Sequence, residues 1–123
     1  MKTWLTFILP IIFALGSSAC RQPMGIECKE EFRTVAIEIS GLTVDSFLTI
    51  RLSTNDTIRN VGFLYENYYP VLTDNYQHKL ENQTDSFLFL AWKADSLVVQ
   101  EPFVIKADFC HIYKVSGKEK VSF

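Results

Sequence analysis

The stretch EFRTVAIEI (residues 31–39) alternates: Val35, Ile37 and Ile39 fall on one side, Thr34 and Glu38 on the other. Successive side chains of a strand point to opposite faces, so this period of two predicts a half-buried β-strand. SFLTIRLS (46–53) repeats the pattern, with Leu48, Ile50 and Leu52 opposite Thr49 and Arg51. It too reads as a strand that buries its apolar row. SFLFLAW (86–92) is apolar on both faces, as a central sandwich strand is. LVVQEPFVI (97–105) contains Pro102, which predicts a bulge, an edge or a break between two strands. CHIYKV (110–115) reads as the last strand, with Cys110 and Ile112 on one face and His111 and Tyr113 on the other.

Turn chemistry separates these runs at Ser40-Gly41, Thr54-Asn55-Asp56, Glu81-Asn82-Gln83, Ala94-Asp95 and Ser116-Gly117. No stretch carries a helical stripe. The expected fold is therefore all-β, a single antiparallel β-sandwich of about seven strands, immunoglobulin-like or transthyretin-like. The immunoglobulin Cys…Trp…Cys signature is not met cleanly. Trp92 lies between Cys28 and Cys110, but these cysteines stand at the ends of the domain.

The N-terminus reads as an address. Lys2 supplies a positive start, Trp4 to Leu15 an apolar run, and Gly16-Ser17-Ser18-Ala19 small residues before Cys20. This is the layout of a secretory signal. A membrane span needs roughly 20 apolar residues, and this run is shorter and contains Pro10. Small residues followed by Cys resemble a bacterial lipobox, although Ser17 stands where an apolar residue is usual. That resemblance implies cleavage before Cys20 and lipidation of it; the alternative is ordinary cleavage leaving a free Cys20. The organisation expected is a lipoprotein signal peptide over 1–19, a lipidated Cys and tether over 20–30, and a β-sandwich domain over 31–123.

The chain carries a formal charge of −2, one unit more negative once Lys2 is removed with the signal. No basic patch stands out, which argues against a nucleic-acid partner. With Cys20 lipidated, Cys28 and Cys110 remain in an oxidising compartment, where a disulfide between them would staple the two ends of the domain.

Two motifs carry a wider resemblance: Cys28, Glu31, Phe32 and Arg33 near the mature start, and E-P-F-V-I-x-A-D-x-C-H-I-x-K-V-S-G over 101–117. Together they resemble small uncharacterised lipoproteins of Bacteroidota with one sandwich domain related to carboxypeptidase-regulatory-like and immunoglobulin-like modules. The resemblance implies architecture and a cell-envelope location, as an outer membrane lipoprotein, and no particular activity. Arg21-Gln22-Pro23 after the lipidated Cys, in place of an acidic run, leans towards the periplasmic face. O-glycosylation in that phylum resembles Asp-Ser/Thr before an apolar residue. Asp56-Thr57-Ile58 and Asp95-Ser96-Leu97 match, making Thr57 and Ser96 candidate acceptors, although Asp-Ser is also ordinary turn chemistry.

For catalysis, Cys110-His111 could pair a nucleophile with its base, but neighbours on a strand diverge. A structural disulfide is the better reading. His78 and His111 are the only histidines, and no Cys-x-x-Cys or His-x-His accompanies them. A small enzyme or metal-binding protein using His78 and His111 stays open as the lesser alternative. No metal, cofactor or catalytic residue is assigned. The segment VGFLYENYYPVLTDNY (61–76) holds Phe63, Tyr65, Tyr68, Tyr69 and Tyr76. Rigid aromatic area at low entropic cost suits a protein or glycan partner; the competing reading is that these rings close the core. The expectation is a lipid-anchored, non-enzymatic binding or assembly module of the envelope, or else a purely structural accessory domain.

Overall fold

The computed structural model describes residues 27–61 and 64–123. The signal, Cys20 and most of the tether lie outside the described residues. Eight strands follow in order: β1 (Thr34–Ser40), β2 (Ser46–Arg51), β3 (Asp56–Ile58), β4 (Tyr68–Thr73), β5 (Thr84–Lys93), β6 (Ser96–Ala107), β7 (Ile112–Ser116) and β8 (Lys120–Ser122). They form one sheet of order β4-β1-β8 and another of order β3-β2-β5-β6-β7. The all-β sandwich expected from alternation is the fold, with eight strands among the described residues. One pairing is parallel, β1 with β8; the others are antiparallel. Between β4 and β5 a 3₁₀ turn (Asp74–Tyr76) leads into α1 (Gln77–Leu80). Four helical residues are too few to leave a periodic stripe in the sequence.

The core lies between the sheets. From β1 come Val35, Ile37 and Ile39, from β5 Phe87, Phe89 and Ala91, and from β6 Phe103 and Ile105, all buried. Each large side chain so buried contributes about 1.5–3 kcal/mol. Asn55, Asn82 and Asp95 take up the positive φ that Asn and Asp tolerate best in turns, and Ala94 adopts one as well. Gly117 carries β7 towards β8, and a Cβ there would collide with the Phe103 ring.

Two expectations are corrected and one is narrowed. In β2 the apolar row faces outwards: Thr49 is fully buried and Arg51 nearly so, whereas Leu48 and Ile50 are half-buried and Leu52 is exposed. Pairing with β5 causes this. Thr49 stands opposite Phe89 and Arg51 opposite Phe87, both core residues. Leu48 and Ile50 stand opposite Leu90 and Leu88 on the other face. The second concerns Pro102, where the edge alternative holds: it neither breaks β6 nor sits at a register shift, which fall at Ala91/Trp92 and Val104/Ile105. Pairing with β7 begins only at Val104, so at Pro102 β6 has a neighbour on one side alone and its missing N–H deprives no ladder. Third, the final strand is β8, and Cys110 and His111 precede β7 in a bend. The alternation argument that separated their side chains therefore does not apply.

Candidate functional site

The tyrosine-rich segment divides between surface and interior. Tyr69 and Tyr76, expected among partner-binding residues, are core residues with 5% and 8% exposure. Tyr69 packs edge-on against Phe47 at 5.3 Å, and its Oη accepts the Val44 N–H. Tyr76 packs edge-on against Phe87, and its hydroxyl donates to Asp56 at 2.8 Å. Burial and the Asp56 carboxylate push the Tyr76 hydroxyl above its ordinary value. The reason is the pleat and the 3₁₀ turn: β4 turns Tyr69 inwards and Tyr68 outwards, and the turn brings Tyr76 back onto the core.

Tyr65 and Tyr68 remain at the surface, 72% and 38% exposed. Their rings meet in a T at 5.9 Å, and a bridge with Tyr68 N–H donating to the Tyr65 carbonyl fixes the loop. Asn67 supplies the positive φ the turn needs. Tyr68 donates to Glu38 on β1 at 3.3 Å, and the Glu38 charge raises the hydroxyl above its usual range. Exposed Val61 and Leu64 stand in the same loop. Phe63 lies outside the described residues.

Cys28 and Cys110 form a disulfide with Cα atoms 5.2 Å apart. Cys110 is thus no nucleophile in this state. His111 is instead buried against Asp74, its Nδ1 2.7 Å from Oδ2. Both Asp74 oxygens are also committed, Oδ2 to the Arg33 N–H and Oδ1 to the Ile112 N–H. Asp108 accepts the backbone N–H groups of Cys110 and His111. Burial pushes its carboxyl up, but these two donors together with the Tyr113 side chain outweigh it and hold Asp108 below the ordinary carboxylate range. The result is a clasp of disulfide and hydrogen bonds that joins the residues before β1, the 3₁₀ turn and the start of β7. Residue spacing offered no signal for it, since Asp74 and His111 are 37 residues apart.

His78 is exposed on α1 and does not join this clasp. Among the described residues no group of three His, Cys, Asp or Glu side chains could hold a metal ion. A cleft of about 680 Å³ opens between β1 and β7, lined by Arg33, Glu38, Tyr68, Tyr113, Lys114 and Lys120 among others. Glu38 and Glu119 face Lys120 and Lys114 there at 4.0 and 3.8 Å. Each carboxylate in the cleft therefore has a cation beside it. The candidate acceptors Thr57 on β3 and Ser96 at the start of β6 are both exposed. No helix among the described residues is long and apolar enough to cross a membrane.

No protein-family model, no curated protein and no solved structure matches this chain.

Proposed function

We propose that this protein is an exported, lipid-anchored binding or assembly module of the cell envelope that works without catalysis. The observation that carries the reading is the exposed Tyr65–Tyr68 pair on the β3–β4 loop. Two further tyrosines of the same segment serve packing, whereas this pair is joined by a backbone bridge and left exposed to water. Rigid, amphipathic rings of that kind suit recognition of a protein or glycan surface. The N-terminal signal and Cys20 supply the address and the anchor, and export fits the disulfide.

The test uses the full chain in its native envelope, with a photo-crosslinker at residue 65. A discrete crosslinked partner that disappears when Tyr68 is changed to Ala supports the reading. An unchanged set of products would count for the purely structural role. In the same cells Cys20→Ala should release the protein from the membrane fraction; retention would sink the anchor.

A further inference from the structure

Strand β1 is paired along nearly its whole length on one side and along only half of it on the other. From Thr34 to Glu38 it meets β4, whereas β8 accompanies it only from Glu38 to Ser40. The bonds it makes fix the phase of its backbone. Arg33 bonds to Asp74 through both its N–H and its C=O, and the Ile39 N–H donates to the Asn67 carbonyl, so the odd residues point towards β4. The Glu38 N–H donates to the Glu119 carbonyl, and the Ser40 carbonyl accepts the Phe123 N–H, so the even residues point towards β8. Alternation then leaves Thr34 and Ala36 holding their N–H and C=O groups out on the β8 side, beyond the point where β8 begins. Among the described residues no backbone partner meets these groups.

We infer that this half-edge is a slot for an extended peptide segment of a partner protein, which joins the three-stranded sheet as a strand in line with β8. The slot is open, since Thr34 and Ala36 line the cleft between β1 and β7. The backbone itself names the occupant, because unpaired edge N–H and C=O groups are a template for another strand. The uncovered run from Thr34 to Ile37 offers about 13 Å, room for a few residues. Strand β8 shows how the added segment sits. Val121 stands opposite Ile39, and it packs against the core. Residues of the segment opposite Val35 and Ile37 turn the same way, towards Ile112 and Lys114, which stand beside buried Ala107 and Ile105 on the inward row of β7. Lys114 is half-buried there, its ammonium drawn to the Gly117 carbonyl at 3.3 Å. The slot therefore favours apolar side chains at alternate positions. The outer edge of β4 is different: it carries Pro70, whose carbonyl already accepts from Asn60. The slot adds a second place to the binding role proposed above, and its test leaves Tyr65 and Tyr68 intact, so each reading can fail alone.

Amide shifts and hydrogen exchange of the full-length protein in detergent micelles test the inference, with the peptide acetyl-Thr-Val-Thr-Val-Thr-amide as probe. In the protein alone the Ala36 amide should exchange at least about tenfold faster than the Glu38 amide, which is bonded to Glu119. With the peptide at about 2 mM, the Thr34 and Ala36 amides should shift, and exchange at Ala36 should slow about threefold, as a Kd near 1 mM requires. Ala36→Pro removes the donor without touching the β4 ladder, and it should weaken the peptide about tenfold at an unchanged thermal midpoint. The same peptide N-methylated throughout keeps the side chains but has no donors, and it should not bind; this arm holds even if Ala36→Pro fails to fold. An Ala36 amide as protected as that of Glu38 in the protein alone overturns the inference, because the edge would already be paired. So does an absence of shifts at that concentration, or binding that a folded Ala36→Pro variant leaves unchanged. Equal binding of the N-methylated peptide overturns it too, since side chains alone would then be adhering.

Discussion

In β1 the residues turned to the core are Val35, Ile37 and Ile39; in β2 they are Phe47, Thr49 and Arg51. The first row needs nothing but neighbours. The second needs partners, and each polar member has them. Thr49 donates to the Val71 carbonyl at 2.6 Å, across to the other sheet. Arg51 reaches Asp85 at 2.6 Å, the Lys79 carbonyl at 3.1 Å and Gln83 at 3.1 Å, tying β2 to β5 and to α1. The difference teaches that one sandwich layer can be held by hydrocarbon and the facing strand by hydrogen bonds. A one-residue slip of β2 would bury its leucines but strand this network, because register decides the whole set at once.

Arg51→Ala should break the contrast most severely. It leaves the largely buried Asp85 without its cation, at a cost of about 3–5 kcal/mol in a denaturant titration. Acid attacks the same pair. Burial pushes the Asp85 carboxyl up, but hydrogen bonds from Ser53, Arg51 and the Ser86 N–H hold it below its ordinary range. Stability from this group is therefore complete above about pH 4, the unfolded value, and is lost as pH falls through the lower folded value. Thermal midpoints of wild type should drop over that acid window, and an Asp85→Asn variant, with no such carboxyl to protonate, should show a flatter profile. In β1, Ile37→Ala removes fully buried hydrocarbon and should cost about 3 kcal/mol. Thr49→Val should cost about 1 kcal/mol, because Asn60 also donates to the Val71 carbonyl and keeps it satisfied. Leu48→Ser, on the outward row, should leave stability within about 0.5 kcal/mol. A loss as large as that of Ile37→Ala would mean that the face is already covered within one chain.

Legibility followed the kind of interaction. Period-two alternation announced β1 and β2 correctly as strands, a short run apolar on both faces announced β5, and turn residues marked the positive-φ positions, because all are local properties of the chain. Alternation does not say which face is inside. For β2 that was decided by Phe89 and Phe87 across the ladder and by Asp85 and Gln83 beside Arg51, residues more than 30 positions away. The disulfide was legible by counting cysteines in a chain whose N-terminus reads as a secretory signal. The Asp74–His111 pair was not, since nothing local distinguishes Asp74 from a turn aspartate. The tyrosines were half legible: their density showed in the sequence, while the division between Tyr65 and Tyr68 outside and Tyr69 and Tyr76 inside needed the fold.

The Cys28–Cys110 bond also determines how the domain carries tension. Residues 29–109 lie within the loop it closes, including β1 to β6. A pull from the N-terminal side against the C-terminus passes from Cys28 through sulfur to Cys110 and bypasses that loop. Only β7, β8 and their short connections bear the force, with β7 peeled from β6 starting at Ile112. Full rupture of that path would lengthen the chain by about 45 Å at most, the extended length of residues 110–123. The sheets that form most of the core would remain outside the line of load.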